Sequence, residues 1–295
     1  MTENPQWTPE MLVGGLLHLL EVSPVTDTLF RGARRPGGKG RVFGGQVIGQ
    51  ALMAAIKTID SDKIVHSLHA YFMRPGDEDY PIDYRVEADF DGGSFSNRRV
   101  VALQNDKPIL NLVASFQRPE SGLSHQVAMP DVPPPEDLED QAEYARRHSD
   151  QLSPLHLHLL TRPSPLEIRT VGIPTFFRMT PGEAAYSMWF RTRAPVIADQ
   201  HRHRAILALA TDLALLATSL LPHGRQMEPE TLQAASLDHA LWFHEDVAVD
   251  DWLLYTMDSP WTGHARGFNR GMIFNRAGAL VASCTQEGLI RLKQK

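Results

Sequence analysis

The sequence predicts an α+β protein in which one unit, a long helix wrapped by an antiparallel sheet, occurs twice in the chain. Three observations support this prediction. The chain has 295 residues, which suffices for about two domains. A helix pattern followed by four strand-like runs occurs before residue 118 and again after residue 165. Short segments also recur: residues 68–72 (LHAYF) resemble residues 238–242 (DHALW), and residues 112–115 (LVAS) are repeated at residues 280–283.

The first unit opens with two predicted helices. Thr8 caps the first helix, Pro9 fits its first turn, and leucines then follow at helical spacing up to Leu20. After a basic, glycine-rich loop at residues 34–40, apolar residues at helical spacing predict a second helix over residues 44–58. Four strand-like runs follow, separated by turn residues, at residues 64–73, 80–90, 95–104 and 108–117. A sheet that follows a long helix in this way can wrap it.

The segment between the two units has a different character. Proline recurs through residues 118–165, residues 136–140 are acidic, and a helical pattern is embedded around residues 138–160. Because this connection is longer than an ordinary loop, it predicts a domain boundary. We therefore place the first unit at residues 1–118, the connecting segment at residues 119–165 and the second unit at residues 166–295.

The second unit repeats the order of the first. Residues 204–220 form the most apolar predicted helix of the chain, and Asp212 lies within it. Strand-like runs follow at residues 233–243, 251–258, 265–274 and 279–291. Two copies of one unit are expected to pair pseudo-symmetrically, much as the subunits of a homodimer do.

Composition narrows the class of function and the compartment. A net charge of −6 argues against a nucleic-acid binder but not against a phosphorylated small molecule, which needs only a few local basic groups. The lone cysteine, Cys284, forms no internal disulfide, which favours a reducing compartment. The first residues lack a signal-peptide pattern, the apolar runs fall short of the ~20 residues of a membrane span, and the C-terminus lacks a Ser-Lys-Leu signal. We expect a cytoplasmic protein without membrane contact.

Several motifs suggest other chemistry but are incomplete. Residues 37–40 (GGKG) lack the first glycine and the magnesium-binding Ser or Thr of a phosphate loop. The histidine pairs at 156/158 and 201/203 have no evident third ligand, so no metal site is predicted. Cys284 lies in an apolar strand, where packing is commoner than nucleophilic attack. No cofactor site is predicted.

Three polar residues of the second unit can serve as a water-activating site. Asp212 lies in an apolar helix, where a carboxylate needs either solvent or hydrogen-bond donors. Ser236 and Gln286 occupy strand positions, and a sheet that wraps the helix brings them toward Asp212. A carboxylate, a hydroxyl and an amide around one point can orient a water and accept its proton. A purely structural hydrogen bond for Asp212 is the alternative.

Asp212, Ser236 and Gln286 provide no helix end that stabilises negative charge, and the first unit can supply one. Gly44 and Gly45 stand at the start of a predicted helix, where free N–H groups and the helix dipole favour negative charge. Such a helix end can stabilise the oxyanion that forms when a carbonyl is attacked. The alternative is that the glycines only permit a tight junction between loop and helix.

Six segments resemble motifs of the type II acyl-CoA thioesterases, the TesB-like family. They lie at residues 41–52 (RVFGGQVIGQAL), 65–77 (VHSLHAYFMRPGD), 94–100 (SFSNRRV), 238–244 (DHALWFH), 265–268 (ARGF) and 281–288 (VASCTQEG). The resemblance runs from about residue 16 to residue 291 and is weakest in the connecting segment. Motifs of this length in this order are highly specific.

The resemblance implies a double hotdog fold and the hydrolysis of fatty acyl-CoA to free acid and CoA, without cofactor or covalent intermediate. It implies a catalytic trio of Asp212, Ser236 and Gln286, with Ser236 where the family has Thr. Serine keeps the hydroxyl but loses the methyl that restricts its rotamer, so we expect the chemistry to be retained and rate or substrate preference to differ. His66 is implied as an accessory residue. Relatives commonly form tetramers, so a homo-oligomer, dimer or tetramer, is expected.

This resemblance leads to a specific expectation for the substrate acyl-CoA. The thioester carbonyl is expected at the helix start formed by Gly44 and Gly45, and the acyl chain in an apolar groove between the units. Each chain should carry one site, because the first unit lacks the acid and the second lacks the glycine pair. Four arginines are candidates for contacts to CoA phosphates: Arg98, Arg99, Arg266 and Arg270.

Two other functions are compatible with the same fold. One is a non-catalytic acyl-CoA-binding regulator, against which the retained Asp212 and Gln286 speak. The other is an enoyl-CoA hydratase, which in this fold family generally has an Asp and a His five positions apart, and the sequence shows no such pair.

Overall fold

The computed structural model describes residues 7–35, 37–60, 62–224 and 231–293. It confirms the predicted α+β class, with two central helices and one large antiparallel sheet. The limits proposed for the units, at residues 118/119 and 165/166, stay predictions. Residues 1–6 and 294–295, which entered the expectations about targeting signals, lie outside the described residues.

In chain order the first half contains α1 (Pro9–Leu20), β1 (Val22–Pro24), β2 (Leu29–Gly32), α2 (Gly44–Ile56), β3 (Ile64–Phe72), β4 (Asp83–Asp91), β5 (Phe95–Gln104) and β6 (Lys107–Gln117). The Thr8 side chain accepts a hydrogen bond from Met11 N at 3.3 Å and so begins α1 as predicted. Helix α2 is buried over nearly its whole length, because the strands wrap it on one side and the second half covers the other.

The connecting segment covers part of the second half. It runs without helix or strand from residue 118 to residue 134 and then forms two short helices, α3 (Gln141–Arg147) and α4 (Pro154–Thr161), where one helical pattern was predicted. Its apolar residues Met129, Val132 and Leu138 pack on a cluster of Trp189, Trp252, Leu254 and Phe274. This cluster lies on the outer face of the sheet, since the neighbouring residues along each strand point toward the core.

In chain order the second half contains β7 (Leu166–Thr170), β8 (Ala185–Thr192), α5 (Gln200–Thr211), β9 (Leu232–Ser236), β10 (Asp238–Phe243), β11 (Leu253–Gly263), β12 (Arg266–Asn275) and β13 (Leu280–Leu292). A 3₁₀ helix, Leu215–His223, follows α5. The strands β1, β2, β7 and β8 were not predicted. The first three have only three to five residues, and β8, with eight, does not alternate strictly between apolar and polar residues.

The strand order shows the duplication directly. The sheet runs β1-β2-β4-β5-β6-β3-β10-β13-β12-β11-β8-β7, and β9 pairs with β13 beside this path. The order β4-β5-β6-β3 in the first half therefore recurs as β11-β12-β13-β10 in the second. Where the halves meet, His69 lies opposite Ala240 and Ala70 lies opposite His239. The two similar segments thus pair with each other around a local twofold axis.

The predicted helix over residues 204–220 is wrong in its length. Helix α5 ends at Thr211, and Asp212 is the residue that caps its C-terminus. A tight turn follows, in which Leu213 N donates to the carbonyl of Ala210, before the 3₁₀ helix begins. Asp212 therefore lies at a helix end rather than within a helix, where its side chain can reach the strands.

The predicted strand over residues 233–243 is two strands. The chain bends at Leu237, whose N–H donates to Glu287 O and whose carbonyl accepts from Phe72 N. Strand β9 stays paired with β13 alone, whereas β10 pairs with both β13 and β3. The bend separates Ser236 from β3 and leaves its hydroxyl close to the end of α5.

One helical stretch, Gln200–His223, is long and apolar enough to cross a membrane, contrary to the sequence-based expectation that the apolar runs are too short. It comprises α5 and the 3₁₀ helix, and 72% of its most apolar window is buried inside the protein. No other stretch within the described ranges meets the same criterion. Such burial is typical of a core helix.

Candidate active site

The structure brings Asp212, Ser236 and Gln286 together at the end of α5. Gln286 Nε2 donates to Asp212 Oδ1 at 2.6 Å and lies 3.1 Å from Ser236 Oγ, which in turn donates to Asp212 Oδ1 at 3.3 Å. Gln286 is fully buried, whereas Asp212 and Ser236 keep partial exposure. The three groups therefore form a continuous polar cluster with one side open to solvent.

Strand register explains why Gln286 faces this point. Along β13 the buried residues alternate, so Cys284, Gln286 and Gly288 all face the core. Ser236 on β9 pairs with Gly288 on β13, where a Cβ would crowd the side chain of Leu216. Alternation on a bent strand pair thus places an amide and a hydroxyl beside the carboxylate.

The start of α2 lies against the same carboxylate. The Gly45 N–H faces the Asp212 carboxylate and lowers its pKa, and a Cβ on Gly44 would lie 2.7 Å from Asp212 Oδ2. A Cβ on Gly45 would lie 2.4 Å from the carbonyl oxygen of Leu209 in α5. Both glycines are therefore needed for the close approach of α2 to the end of α5, which brings a helix N-terminus from the first half to the acid of the second.

The surroundings of Asp212 tune its acidity. Burial raises the pKa of Asp212 from 3.8 to about 6, against hydrogen bonds from Gln286, Gly45 and Ser236 that lower it. Near neutral pH this carboxylate is mostly ionised, yet basic enough to accept a proton from water. This is the range in which general-base catalysis is effective.

His239 belongs to the cluster, and the sequence reasoning did not identify it. It is fully buried, with Nδ1 at 3.3 Å from Gln286 Nε2 and Nε2 at 3.0 Å from Thr211 Oγ1. Burial lowers its pKa to about 4, so the ring is neutral at physiological pH. The available signal was its position in the segment DHALW, which was interpreted as a mark of duplication and as part of a family motif but not as a site residue.

The structure places His66 away from this cluster. His66 lies near the start of β3, shares a hydrogen bond with Ser115 Oγ at 2.8 Å and packs edge-on against Phe95. Ser236 lies beyond the opposite end of β3, where Phe72 N bonds to Leu237. Six residues of strand separate Phe72 from His66, which is about 20 Å. An accessory role for His66 at Asp212 is therefore not supported by the geometry.

The four predicted phosphate-binding arginines already have partners in the structure. Arg98 is buried and donates to Thr58, Asp91 and backbone carbonyls, so it is a structural residue. The other three are partly exposed and pair with carboxylates: Arg99 with Glu87 and Asp89, Arg266 with Glu287, and Arg270 with Asp258. In the described part of the chain, Arg35, Lys39 and Arg41 are exposed without an ion-pair partner.

Cys284 packs in the core, as its sequence context predicted. Its Sγ lies 3.1 Å from the hydroxyl of Tyr255, which donates to the carbonyl of Thr211 at 2.9 Å. Burial raises the pKa of the thiol to about 12, so a nucleophilic thiolate is not available at neutral pH. Across the described residues, no group of three or more His, Cys, Asp and Glu side chains is arranged to hold a metal ion.

Family comparisons agree with this fold. A model of the acyl-CoA thioesterase N-terminal domain matches residues 33–117, and one of the acyl-CoA thioesterase C-terminal domain matches residues 131–290. The chain therefore belongs to the acyl-CoA thioesterase family and is an acyl-CoA thioester hydrolase. Its activity is the hydrolysis of acyl-CoA. The comparisons do not support the two alternatives, a non-catalytic acyl-CoA-binding regulator and an enoyl-CoA hydratase.

Individual relatives resemble the chain over most of its length. Acyl-coenzyme A thioesterase 8 of Homo sapiens is 40% identical over 283 residues, which cover 93% of this chain and 88% of the human protein. The structure of acyl-CoA thioesterase II from Mycobacterium marinum has a TM-score of 0.76 at 36% identity and covers 96% of this chain and 98% of that one. A hotdog-fold protein from Alicyclobacillus acidocaldarius has a TM-score of 0.75 at 18% identity, with coverage of 94% and 98%, which supports the fold alone.

Proposed function

We propose that Asp212, Ser236 and Gln286 position the water that hydrolyses the acyl-CoA thioester. The observation that carries this proposal is the 2.6 Å contact between Gln286 Nε2 and Asp212 Oδ1, formed where the start of α2 meets the same carboxylate. The acid, the hydroxyl and the amide come from the second half, and the helix N-terminus comes from the first. One composite site therefore requires both halves.

The reaction follows from the positions of these groups. The water oxygen attacks the thioester carbonyl carbon while one of its protons passes to the Asp212 carboxylate. The carbonyl oxygen becomes an oxyanion, which accepts a hydrogen bond from the Gly44 N–H at the positive end of α2. As the carbonyl re-forms, the C–S bond breaks, and Asp212 returns its proton to the sulfur of CoA. Free acid and CoA thiol leave, and no covalent intermediate forms.

One site per chain follows from the repeat. Helix α2 ends at Lys57, whereas α5 ends at Asp212, so the first half has a cation at the helix end where the second half has the acid. His69 is exposed on the outer face of the sheet, whereas His239 is buried on the inner face, so the histidines of the two similar segments are not structurally equivalent.

For the CoA moiety, we assign the phosphate contacts to the basic loop before α2. Arg35, Lys39 and Arg41 are exposed, and Arg41 stands only three residues before Gly44. Replacing all three with Ser should raise KM for acyl-CoA with little effect on kcat, whereas replacing Arg99 and Arg270 with Ser should leave KM unchanged. Steady-state kinetics by thiol release, repeated at two salt concentrations, measures this difference.

The function is tested by thiol release across acyl-CoA chain lengths, combined with mass spectrometry of acid-quenched enzyme. We expect CoA release without an acyl-protein adduct at any time during turnover. An adduct that accumulates and decays at the catalytic rate would contradict direct attack by water.

The pH dependence of catalysis should follow Asp212. Asp212 is the proposed base, and its pKa is about 6. The value of kcat/KM should therefore rise with pH through about 6, and below pH 6 it should fall about tenfold for each pH unit. A pH–rate profile from pH 4.5 to 8.5 checks this expectation. An acidic limb near pH 4, the ordinary carboxylate range, would contradict the assignment of Asp212 as the base.

Ser236 supplies a hydroxyl, and the methyl of a threonine should be dispensable. Ser236→Thr should keep kcat within a few-fold, whereas Ser236→Ala should lower kcat about 10- to 100-fold, since Asp212 loses one donor. Comparing both variants on one substrate series separates the hydroxyl from the shape of the side chain. Equal kcat for Ala and Ser would remove Ser236 from the mechanism.

We propose that the chain forms a homo-oligomer, a dimer or a tetramer. The outer face of the first half exposes Tyr71, Phe95 and Val113, whereas the corresponding face of the second half is covered by residues 129–138. Exposed apolar side chains grouped on one sheet face are typical of a subunit contact. Light scattering after gel filtration measures the mass, and a stable monomer would contradict this proposal.

A further inference from the structure

His239 makes two side-chain hydrogen bonds that link the end of α5 to β13. Its Nε2 faces Thr211 Oγ1 at 3.0 Å, and its Nδ1 faces Gln286 Nε2 at 3.3 Å. Both partners, like His239 itself, are fully buried. No water can therefore replace either contact without opening the core.

The Thr211 contact fixes the tautomer of the ring. The Thr211 hydroxyl donates its only proton to the carbonyl of Ala208 at 3.0 Å, so toward His239 it can only accept. The proton of the neutral imidazole must then lie on Nε2. Nδ1 consequently presents a lone pair, and only a hydrogen-bond donor can face it favourably.

This lone pair decides which way the Gln286 amide points. When the amide NH₂ group points toward His239 and Asp212, it can donate one proton to His239 Nδ1 and the other to Asp212 Oδ1. If the amide turned by 180°, its oxygen would face a lone pair on His239 and the carboxylate of Asp212. In the observed orientation the amide nitrogen meets Asp212 and His239, and Gln286 Oε1 is buried with no hydrogen-bond partner among the described residues.

We propose that His239 is a positioning residue for hydrolysis: held as the Nε2–H tautomer by Thr211, it keeps the Gln286 amide nitrogen hydrogen-bonded to Asp212. This inference rests on the proposed role of Asp212, Ser236 and Gln286. His239 itself touches neither the water nor the thioester. Its contribution is to favour one of the two orientations of the Gln286 amide, which differ by a 180° rotation.

Three variants test this role. His239→Leu removes the lone pair at similar volume, and His239→Asn restores an acceptor near the position of Nδ1. Thr211→Val keeps the side-chain shape but removes the acceptor that fixes the tautomer. We expect His239→Leu to lower kcat about 10- to 100-fold with KM nearly unchanged, the loss typical of a supporting hydrogen-bond partner. His239→Asn should recover much of this loss, and Thr211→Val should lower kcat in the same way.

The pH profile gives a readout that simple loss of packing would not change. Gln286 lowers the pKa of Asp212 by its hydrogen bond, so a misoriented amide should move the acidic limb of kcat/KM to higher pH. The titratable groups that face Asp212 from other elements are Tyr255 on β11 and Cys284 on β13. Both have raised pKa values and stay neutral in this range, so neither accounts for a shift of the limb.

Two controls separate this role from others. His203→Leu removes a different buried histidine, which lies on α5 and accepts a hydrogen bond from Val249 N, and should leave kcat and the pH profile unchanged. In a Gln286→Ala background, His239→Leu should cause no further loss of kcat, because the amide it positions is gone. An equal loss in both backgrounds, or full activity of folded His239→Leu, would overturn the proposal. Full activity of Asp212→Asn would instead overturn the proposed function, so the two failures are distinguishable.

Discussion

Replacing Asp212 with Asn should lower kcat for acyl-CoA hydrolysis by about 10³-fold or more, since the water loses its base. Asn keeps the volume of the side chain and can still meet Ser236, so acyl-CoA binding should persist. Thiol release gives kcat, and calorimetric titration with a non-hydrolysable acyl-CoA analogue gives the affinity. The matched control is Asp62→Asn, an exposed acid paired with Arg118, for which no change of kcat is expected.

Asp212→Asn should also show that the ionised Asp212 carboxylate lowers the free energy of unfolding. The raised pKa means that the folded protein disfavours ionised Asp212 relative to the unfolded chain. The folded state therefore binds the proton more readily between pH 4 and 6, and wild-type stability falls as pH rises through this window. Asn carries no charge, so the Tm of Asp212→Asn relative to wild type should be higher at pH 8 than at pH 5. A difference that does not depend on pH would contradict the raised pKa.

Gly45→Ala should have the largest effect on stability of any change at the site. The added Cβ would lie 2.4 Å from the Leu209 carbonyl oxygen and 2.6 Å from the Phe43 ring, so the backbones of α2 and α5 must separate. We expect a loss of about 2–3 kcal/mol in the free energy of unfolding, as for other overpacked cores. Denaturant unfolding measures this loss. Hydrolysis should fall as well, because the helix N-terminus moves away from Asp212.

Gly14→Ala provides the matched control for this change. Gly14 lies within α1, and a Cβ there would meet nothing within 4 Å. Alanine should therefore raise stability by about 0.5–1 kcal/mol, since it favours the helix more than glycine does. Equal unfolding midpoints for the two variants would mean that the contact between α2 and α5 is not close enough to exclude a methyl group.

Sequence patterns predicted the large elements well because those elements carry strong periodicity. The first helix, the helix after Gly44 and the four long strands of the first half were found close to their observed bounds. The end of α5 was not, since apolar residues continue past Asp212 and no glycine or proline marks the turn. The break at Leu237 was not predicted either. It arises because β9 pairs only with β13 whereas β10 also pairs with β3, and local sequence does not reveal this difference in pairing.

The site residues were predicted unevenly for a similar reason. The pattern of Asp212, Ser236 and Gln286 was visible because polar groups in apolar surroundings stand out, and family resemblance supported it. His239 was not recognised, because a histidine that directs another side chain has no spacing rule of its own. For the candidate phosphate-binding arginines, sequence reveals a positive charge but not the carboxylates that pair with it across neighbouring strands.

The continuous sheet through β3 and β10 has an evolutionary consequence. A duplicated unit ordinarily leaves a spare copy that can be lost, exchanged or recruited to another partner. In the proposed mechanism the site takes its helix N-terminus from one copy and its acid, hydroxyl and amide from the other, while the shared sheet keeps the copies in fixed register. Neither copy would then be active alone, so the two must be inherited together.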